Sequence, residues 1–126
     1  ALKIKELANL FADPYSAADF QHGPVALIEP DVPVLAVAPA GAIAAGMVEL
    51  LCRLRDEHGA QIAILSDDAS IRALGRWAVP IPEGVAEWVR PIVSIVPAQL
   101  HALALTIARG LDPERPRGLR KVTRTV

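Results

Sequence analysis

Several separated places in this sequence hold side chains whose types and spacing could move protons or hold an anion. His22 stands directly before Gly23-Pro24 in the stretch SAADFQHGPVALI. A Gly-Pro pair stops a helix, so the imidazole is left exposed at a helix end and at a fixed angle. An imidazole titrates near neutral pH, and that placement suits proton transfer. It suits equally a helix-terminal residue whose charge is favoured by the carboxyl end of the helix dipole. Glu6 follows Lys3 at a spacing of three, so on a helix the carboxylate and the ammonium project from one side. Such a carboxylate is either a base or simply a solvated partner of the lysine. From Arg109 onward, Arg109, Arg115, Arg117, Arg120, Lys121 and Arg124 face only Asp112 and Glu114. This is either a solvated basic tail or one that folds over an anion such as a phosphate. Asp67-Asp68 reads first as the cap of a short helix, with a metal or sugar role as the alternative.

The elements that must position these groups follow from hydrophobic periodicity. ALKIKELANLFA has apolar positions at Leu2, Leu7, Leu10 and Phe11, close to the helical repeat, and Asp13-Pro14 is expected to end that helix. A second short helix starts at Ser16, whose hydroxyl can cap it while Asp19 completes a capping-box pattern. PVLAVAP, Pro33 to Pro39, reads as a strand buried on both faces. AIAAGMVELLCRLRDEHG then reads as a helix ended by Gly59, and QIAILS, Gln61 to Ser66, as the next buried strand. Strand, helix, strand at this spacing is a parallel crossover. WAVPIP, Trp77 to Pro82, is a third and shorter strand. Val85 to Gly110 is a long helical pattern kinked or divided by Pro91 and Pro97. The tail DPERPRGLRKVTRTV is too rich in Pro, Gly and charge to pack a core.

The fold class expected is therefore α/β, three-layered (αβα), with a mostly parallel sheet. Three strands make a narrow sheet for this many helices, so either the sheet is small or its first strand lies upstream of Ala1. Ligands of open parallel sheets bind at the carboxyl ends of the strands, here Ala38 to Gly41 and Ser66 to Asp68. Neither place has the glycine-rich spacing of a nucleotide-binding loop, which argues against nucleotide binding.

Composition bounds the remaining readings. A chain of 126 residues is about one domain. With 52% hydrophobic but only 4% aromatic residues, its core must be aliphatic. A mean hydropathy of +0.35 suggests that some apolar surface faces another chain or domain. A net charge of -1 gives no whole-chain reason to expect nucleic acid or an acidic membrane as partner. The single Cys52 forms no internal disulfide, no Cys/His spacing suggests zinc, and a reducing cytoplasm fits. The apolar run Val34 to Leu51 is broken by Pro39, Gly41, Gly46 and Glu49, so it reads as strand, turn and helix, not as a membrane span. No charged-then-apolar signal segment opens the chain. Ala1 is read as a processed terminus or the start of a fragment.

KIKELANLFADPYSAADFQHGPVALIEPDVPVLAVAP resembles the second domain of the sugar isomerase (SIS) family, found in glucosamine-6-phosphate synthase and in related amino-sugar-phosphate deaminases and phosphosugar isomerases. The family pattern Leu-Lys-x-Lys-Glu, an acidic-x-Tyr/Phe-Ser/Ala stretch, and His-Gly-Pro is matched at Leu2 to Glu6, Asp13 to Ser16 and His22 to Pro24. The tail Pro116 to Lys121 is similar to the family's closing Pro-Arg-x-Leu-x-Lys. The resemblance covers essentially the whole chain and implies a single carboxyl-terminal SIS domain, 1–126, whose tail, 108–126, closes over the active site. It implies that Glu6 moves a proton between C1 and C2 of an open-chain sugar phosphate and that His22 opens the sugar ring. It also implies that Lys121 closes over the sugar, with Lys3 and Arg120 on the substrate-binding side. No cofactor or metal is implied. The expected partners are a sugar-phosphate substrate, an upstream SIS domain of the same enzyme that grips the phosphate, and a second copy in a homodimer. Nucleic acid and membrane are not expected.

Asp19 and Gln21 stand where the synthase usually has glutamate and lysine. The ending Lys121 to Val126 resembles the stand-alone deaminases and isomerases. The expected function is the catalytic half of a phosphosugar isomerase or deaminase acting on glucosamine 6-phosphate or fructose 6-phosphate, inactive as an isolated chain. The alternatives are the isomerase domain of a glutamine-fructose-6-phosphate transaminase and a non-catalytic sugar-phosphate-binding module.

Overall fold

The computed structural model describes residues 1–118, so the last part of the closing tail, 119–126 with Arg120 and Lys121, lies outside the described residues. In chain order the elements are α1 (Leu2–Ala8), α2 (Ala17–Gln21), a 3-10 turn (Pro24–Leu27), β1 (Pro33–Val37), α3 (Ala44–Asp56), β2 (Gln61–Ser66), α4 (Ala69–Arg72), β3 (Trp77–Pro80) and α5 (Arg90–Ala108). They divide into two units, Tyr15–Pro97 and, separately, Ala1–Pro14 with the chain from Ala98 onward.

The unit Tyr15–Pro97 contains the sheet. Its strands run in the order β1-β2-β3 and every pairing is parallel, with Pro33 opposite Gln61, Val37 opposite Leu65, and Ala63 opposite Trp77. The expected α/β class and parallel sheet are observed. α3 explains why its segment is helical and where it faces: Met47, Leu50, Leu51 and Leu54 recur at helical spacing, and all four are buried. They join Ala36, Ala38, Ile62, Ile64 and Ile71 in one aliphatic core. Each large side chain so buried contributes about 1.5–3 kcal/mol relative to exposure.

The reading of β1 as a strand buried on both faces is corrected. The description fits the central β2, whose last three residues are all buried, whereas only Ala36 of β1 is buried. An aliphatic run reports β-propensity and says little about where the covering layers end. β3 is exposed along its whole length and stops at Pro80, short of the expected Pro82.

Short helices in this unit are held by their caps. Ser16 Oγ accepts from the Asp19 N–H at 3.1 Å, as the capping box requires. The return bond differs, because the Asp19 carboxylate accepts from the Ser16 hydroxyl at 2.7 Å. A shorter side chain than glutamate meets the hydroxyl in place of the cap's backbone N–H. Asp68 caps α4: its Oδ1 accepts from the Ser70 N–H at 2.7 Å, the Ser70 hydroxyl at 2.6 Å and the Ile71 N–H at 3.3 Å. The Ser70 hydroxyl first, then these backbone donors, hold the Asp68 carboxyl below its ordinary value. A depressed folded-state pKa gives stability that is present above the unfolded pKa and lost as pH falls through the lower folded value. Asp68→Asn is therefore expected to lower the melting temperature near neutral pH, where the carboxylate's contribution is present, and to converge with the parent chain below about pH 4, so that its acid limb is flatter, as read by thermal melts across pH. An acid limb as steep as in the parent chain would contradict this.

In the other unit, α1 ends at Ala8 and does not run on to Asp13-Pro14. Asn9 takes a left-handed conformation, φ 51°, which asparagine tolerates better than most residues and which terminates a helix. Early termination changes the inward face: Ala8 is buried, while Leu2 and Phe11, expected on the apolar stripe, are exposed. Lys5 Nζ donates to Asp13 Oδ1 at 2.9 Å across the loop that follows.

α5 begins at Arg90, later than the expected Val85, and runs to Ala108 without division. Pro91 sits in its first turn, where no intrahelical N–H bond is lost, and Pro97 lies inside it. Among the described residues it is the one helix long and apolar enough to cross a membrane, by length and composition alone.

Candidate active site

Glu6 and Lys3 are brought together by α1. Lys3 Nζ donates to Glu6 Oε2 at 2.9 Å, one turn apart on the same helix. The Glu6 side chain is 26% exposed and that of Lys3 57%. The carboxylate is thus half-shielded yet reachable, with an ammonium fixed at one oxygen and the other oxygen free of that pair. Such a group can accept a proton from a carbon acid while the cation faces oxygen on which charge develops.

His22 belongs to the unit Tyr15–Pro97 and caps the carboxyl end of α2, its backbone N–H bonded to the Asp19 carbonyl at 3.1 Å. Gly23 follows with φ 152°, and Pro24 starts the 3-10 turn. Phe20 on one side, and Val25 and Ile28 on the other, pack against the aliphatic core. Tyr15 adds a tilted ring contact to Phe20, with centroids 5.6 Å apart. His22 is exposed between these anchors. The apolar sequence after Gly-Pro therefore has a positional role: it pins the turn so that the imidazole is presented at one angle.

The carboxyl ends of β1 and β2 hold residues that sequence reasoning missed. Asp67 is not the cap of α4. It is buried and accepts from the Ala40 N–H through Oδ1 at 2.7 Å, while its Oδ2 meets Arg90 Nε at 3.2 Å. Arg90 Nε also donates to the Val85 carbonyl at 3.1 Å, and Arg90 Nη1 bonds the Ala40 carbonyl. Glu87 Oε1 accepts from the Ala42 N–H at 3.2 Å. Gly41 between them has φ 129°, and a Cβ there would stand 2.5 Å from Glu87 Oε1. The turn from β1 to α3 has its amides satisfied by the chain's own carboxylates, so an incoming phosphate would meet negative charge there. The available signal was Arg90 itself, the last charged residue before an uncharged run that extends to Ala108.

A hollow of about 460 Å³ in the unit Tyr15–Pro97 lies among Arg55, Gln61, Leu74 and Arg76. That is the amino-terminal end of β2 and β3, opposite the end at which open parallel sheets bind ligands. No cluster of three or more His, Cys, Asp or Glu side chains suited to a metal ion occurs among the described residues. Arg120 and Lys121, expected over the substrate, lie outside the described residues.

Comparison with known proteins gives these groups a setting. The SIS domain family model matches residues 1–109. The chain is 41% identical over 121 residues to the glutamine–fructose-6-phosphate aminotransferase (isomerizing) of Thermococcus kodakarensis, and 37% identical over 128 residues to that of Legionella pneumophila. Each alignment covers 96% of this chain and 20% of the relative, so the chain spans about a fifth of the length of these relatives. In structure it is similar to the C-terminal domain of glucosamine-fructose-6-phosphate aminotransferase from Francisella tularensis, with a TM-score of 0.78 at 24% identity, over 90% of this chain and 32% of that one. At that identity the likeness concerns the fold. The match along residues 1–109, spanning Glu6, His22 and the whole parallel sheet, makes this chain a member of the SIS domain family.

Proposed function

We propose that this chain is the catalytic half of a phosphosugar isomerase or amino-sugar-phosphate deaminase acting on fructose 6-phosphate and glucosamine 6-phosphate. The observation that carries the reading is the Glu6–Lys3 pair on α1, a half-shielded carboxylate with its ammonium at 2.9 Å, in a chain of the SIS family. With open-chain glucosamine 6-phosphate, Glu6 takes the proton from C2 and returns it at C1, through an enediol-like intermediate; with fructose 6-phosphate, whose C2 is the carbonyl carbon, it takes the proton from C1 and returns it at C2. The reverse direction uses the same two atoms. Lys3 lies on the substrate side and faces the oxygen that becomes negative. His22 transfers the proton that opens the sugar ring, and the tail, 108–126, closes over the substrate with Lys121 and Arg120. The self-satisfied turn at Ala40 to Ala42 supports a phosphate grip outside this unit, in an upstream SIS domain of a longer polypeptide. A single free cysteine agrees with a cytoplasmic setting.

A second reading is favoured by one specific observation. The relatives named above are called glutamine–fructose-6-phosphate aminotransferases, so the same half-site would serve as the isomerase domain of such an enzyme. Both readings share the proton transfer.

The test is a chimera in which these 126 residues replace the matching fifth of the Thermococcus kodakarensis aminotransferase. Thermal stabilisation by fructose 6-phosphate, with solvent-hydrogen exchange at C1 of fructose 6-phosphate and at C2 of glucosamine 6-phosphate, is expected in the chimera, and neither in the isolated chain. A chimera that folds and is stabilised by the sugar phosphate, yet exchanges neither the C1 hydrogen of fructose 6-phosphate nor the C2 hydrogen of glucosamine 6-phosphate, would overturn the catalytic reading and leave a binding module.

A further inference from the structure

We infer that His58, just past the end of α3, is a positioning residue for His22. Its imidazole holds the chain that leaves the His22 turn and so fixes the angle at which His22 meets the ring oxygen of a sugar. The inference rests on the ring-opening role given to His22 above.

An exposed imidazole is aimed by the backbone that carries it. The residues after His22 form a stiff unit, because the Ala26 N–H donates to the Gly23 carbonyl at 2.9 Å and the Ile28 N–H to the Val25 carbonyl at 3.1 Å. The turn therefore moves as one body, and its attitude is set at its two ends. Phe20 anchors the first end in the aliphatic core. At the second end, His58 Nδ1 donates to the Ile28 carbonyl at 3.2 Å, from 30 residues away in sequence. A carbonyl only accepts, so Nδ1 carries the hydrogen. Val25 and Ile28 also pack on the core, but apolar contact is non-directional and lets a turn rotate. The hydrogen bond supplies the direction.

His58 suits this task because its own backbone is fixed and half-buried. α3 closes with the Ala60 N–H on the Leu54 carbonyl at 3.0 Å and Gly59 in the left-handed region, φ 66°. The same end of α3 grips the chain just beyond Ile28. The Gly59 carbonyl accepts from the Asp31 N–H at 3.0 Å, and Gln61 Nε2 donates to Asp31 Oδ1 at 2.9 Å. Gln61 Oε1 is in turn held by Arg76. Asp31 itself stands at φ 69°, a conformation that a non-glycine residue keeps only where its surroundings over-determine it. All these contacts precede β1, on the side of the chain that leads back to His22. A histidine serving only the helix dipole would keep its donor over the carbonyls of α3, whereas His58 gives it to another segment.

Fructose 6-phosphate must open before its C1 hydrogen can exchange. The analogue 5-deoxyfructose 6-phosphate lacks the hydroxyl that closes the furanose ring and is open already. In the chimera described above, His58→Phe keeps a ring and loses the donor, while His58→Asn keeps a donor and loses the ring. His58→Phe is expected to lower kcat/KM for C1 exchange of fructose 6-phosphate by about 10-fold or more and to leave the 5-deoxy analogue within a few-fold of the parent. His58→Asn should recover most of that loss. In the 126-residue chain itself, amide order parameters across His22 to Leu27 should fall with His58→Phe and hold with His58→Asn. Gln61→Met, which releases Asp31, should show the same selectivity at smaller size, and it reads the clamp if a His58 variant does not fold. Equal loss on both sugars, loss with His58→Asn but not His58→Phe, or unchanged order parameters would make His58 a packing residue and overturn the inference. His22→Ala separates the two readings. If it spares fructose 6-phosphate or lowers both sugars alike, the ring-opening role falls and the inference with it. A selective loss with His22→Ala and none with His58→Phe or Gln61→Met sinks the positioning role alone.

Discussion

Replacing Glu6 by glutamine is expected to lower hydrogen exchange at C2 of glucosamine 6-phosphate, and at C1 of fructose 6-phosphate, by about 10²–10⁴-fold, the range contributed by a positioned general base. The change keeps the side chain's length and its acceptor for Lys3 Nζ while removing the group that can hold the proton. The half-shielded position of Glu6 on α1 means that little packing depends on its charge. Fructose 6-phosphate binding, read by thermal shift in the same chimera, should therefore change little. A fall in kcat at nearly constant KM is the signature of an interaction made in the transition state. Exchange within a few-fold of the parent would remove Glu6 from the chemistry. Equal loss of binding and exchange would show that it only holds the substrate.

Asp67→Ala should be among the most destabilising single changes in the unit Tyr15–Pro97. Its side chain is 6% exposed and that of Arg90 18%, so removing the carboxylate leaves a largely buried guanidinium without its counter-ion and the Ala40 N–H without its acceptor. Breaking one side of such a pair typically costs about 3–5 kcal/mol, because the remaining charge stays buried. For a domain of this size the melting temperature should fall by roughly 10–20 °C. Asp67→Asn, which keeps an acceptor for Ala40, should lose less. Adding Arg90→Met to Asp67→Ala should recover part of the loss, since the stranded charge is then gone. A double variant as unstable as the sum of the two single ones would mean that the two side chains act independently.

The parts of the fold readable in advance were those set by local chemistry. β2 was anticipated to the residue, because a short aliphatic run between a glycine and a pair of aspartates leaves few alternatives. The capping of α2 by Ser16 and the stop at Gly23-Pro24 were legible for the same reason, since a hydroxyl, a glycine and a proline each act on backbone within a few residues. α1 was overextended because the periodicity of Leu7, Leu10 and Phe11 outweighed one asparagine, whose left-handed conformation ends the helix.

Of the candidate site, types and order were legible, and contacts partly so. The Glu6–Lys3 pair follows from a spacing of three on any helix, and the structure bears out that geometry. His22 at a helix terminus follows from the Gly-Pro pair, but the anchoring of its turn through Phe20, Val25 and Ile28 depends on a core assembled from distant segments.

By itself the sequence determined the α/β class, the parallel crossover, the family motifs and the residue types able to carry the chemistry. Each of these is local: a periodicity, a cap, a spacing of a few residues. Only the tertiary structure decided that Asp67 is a buried partner of Arg90 and Asp68 the cap, and that Glu87 closes the turn after β1. Only it brought His58 to the chain that leaves the His22 turn. Two adjacent aspartates have the same local propensities. What separates them is a contact between residues 67 and 90, and a side chain's burial depends on all that packs around it, which no short stretch of sequence contains.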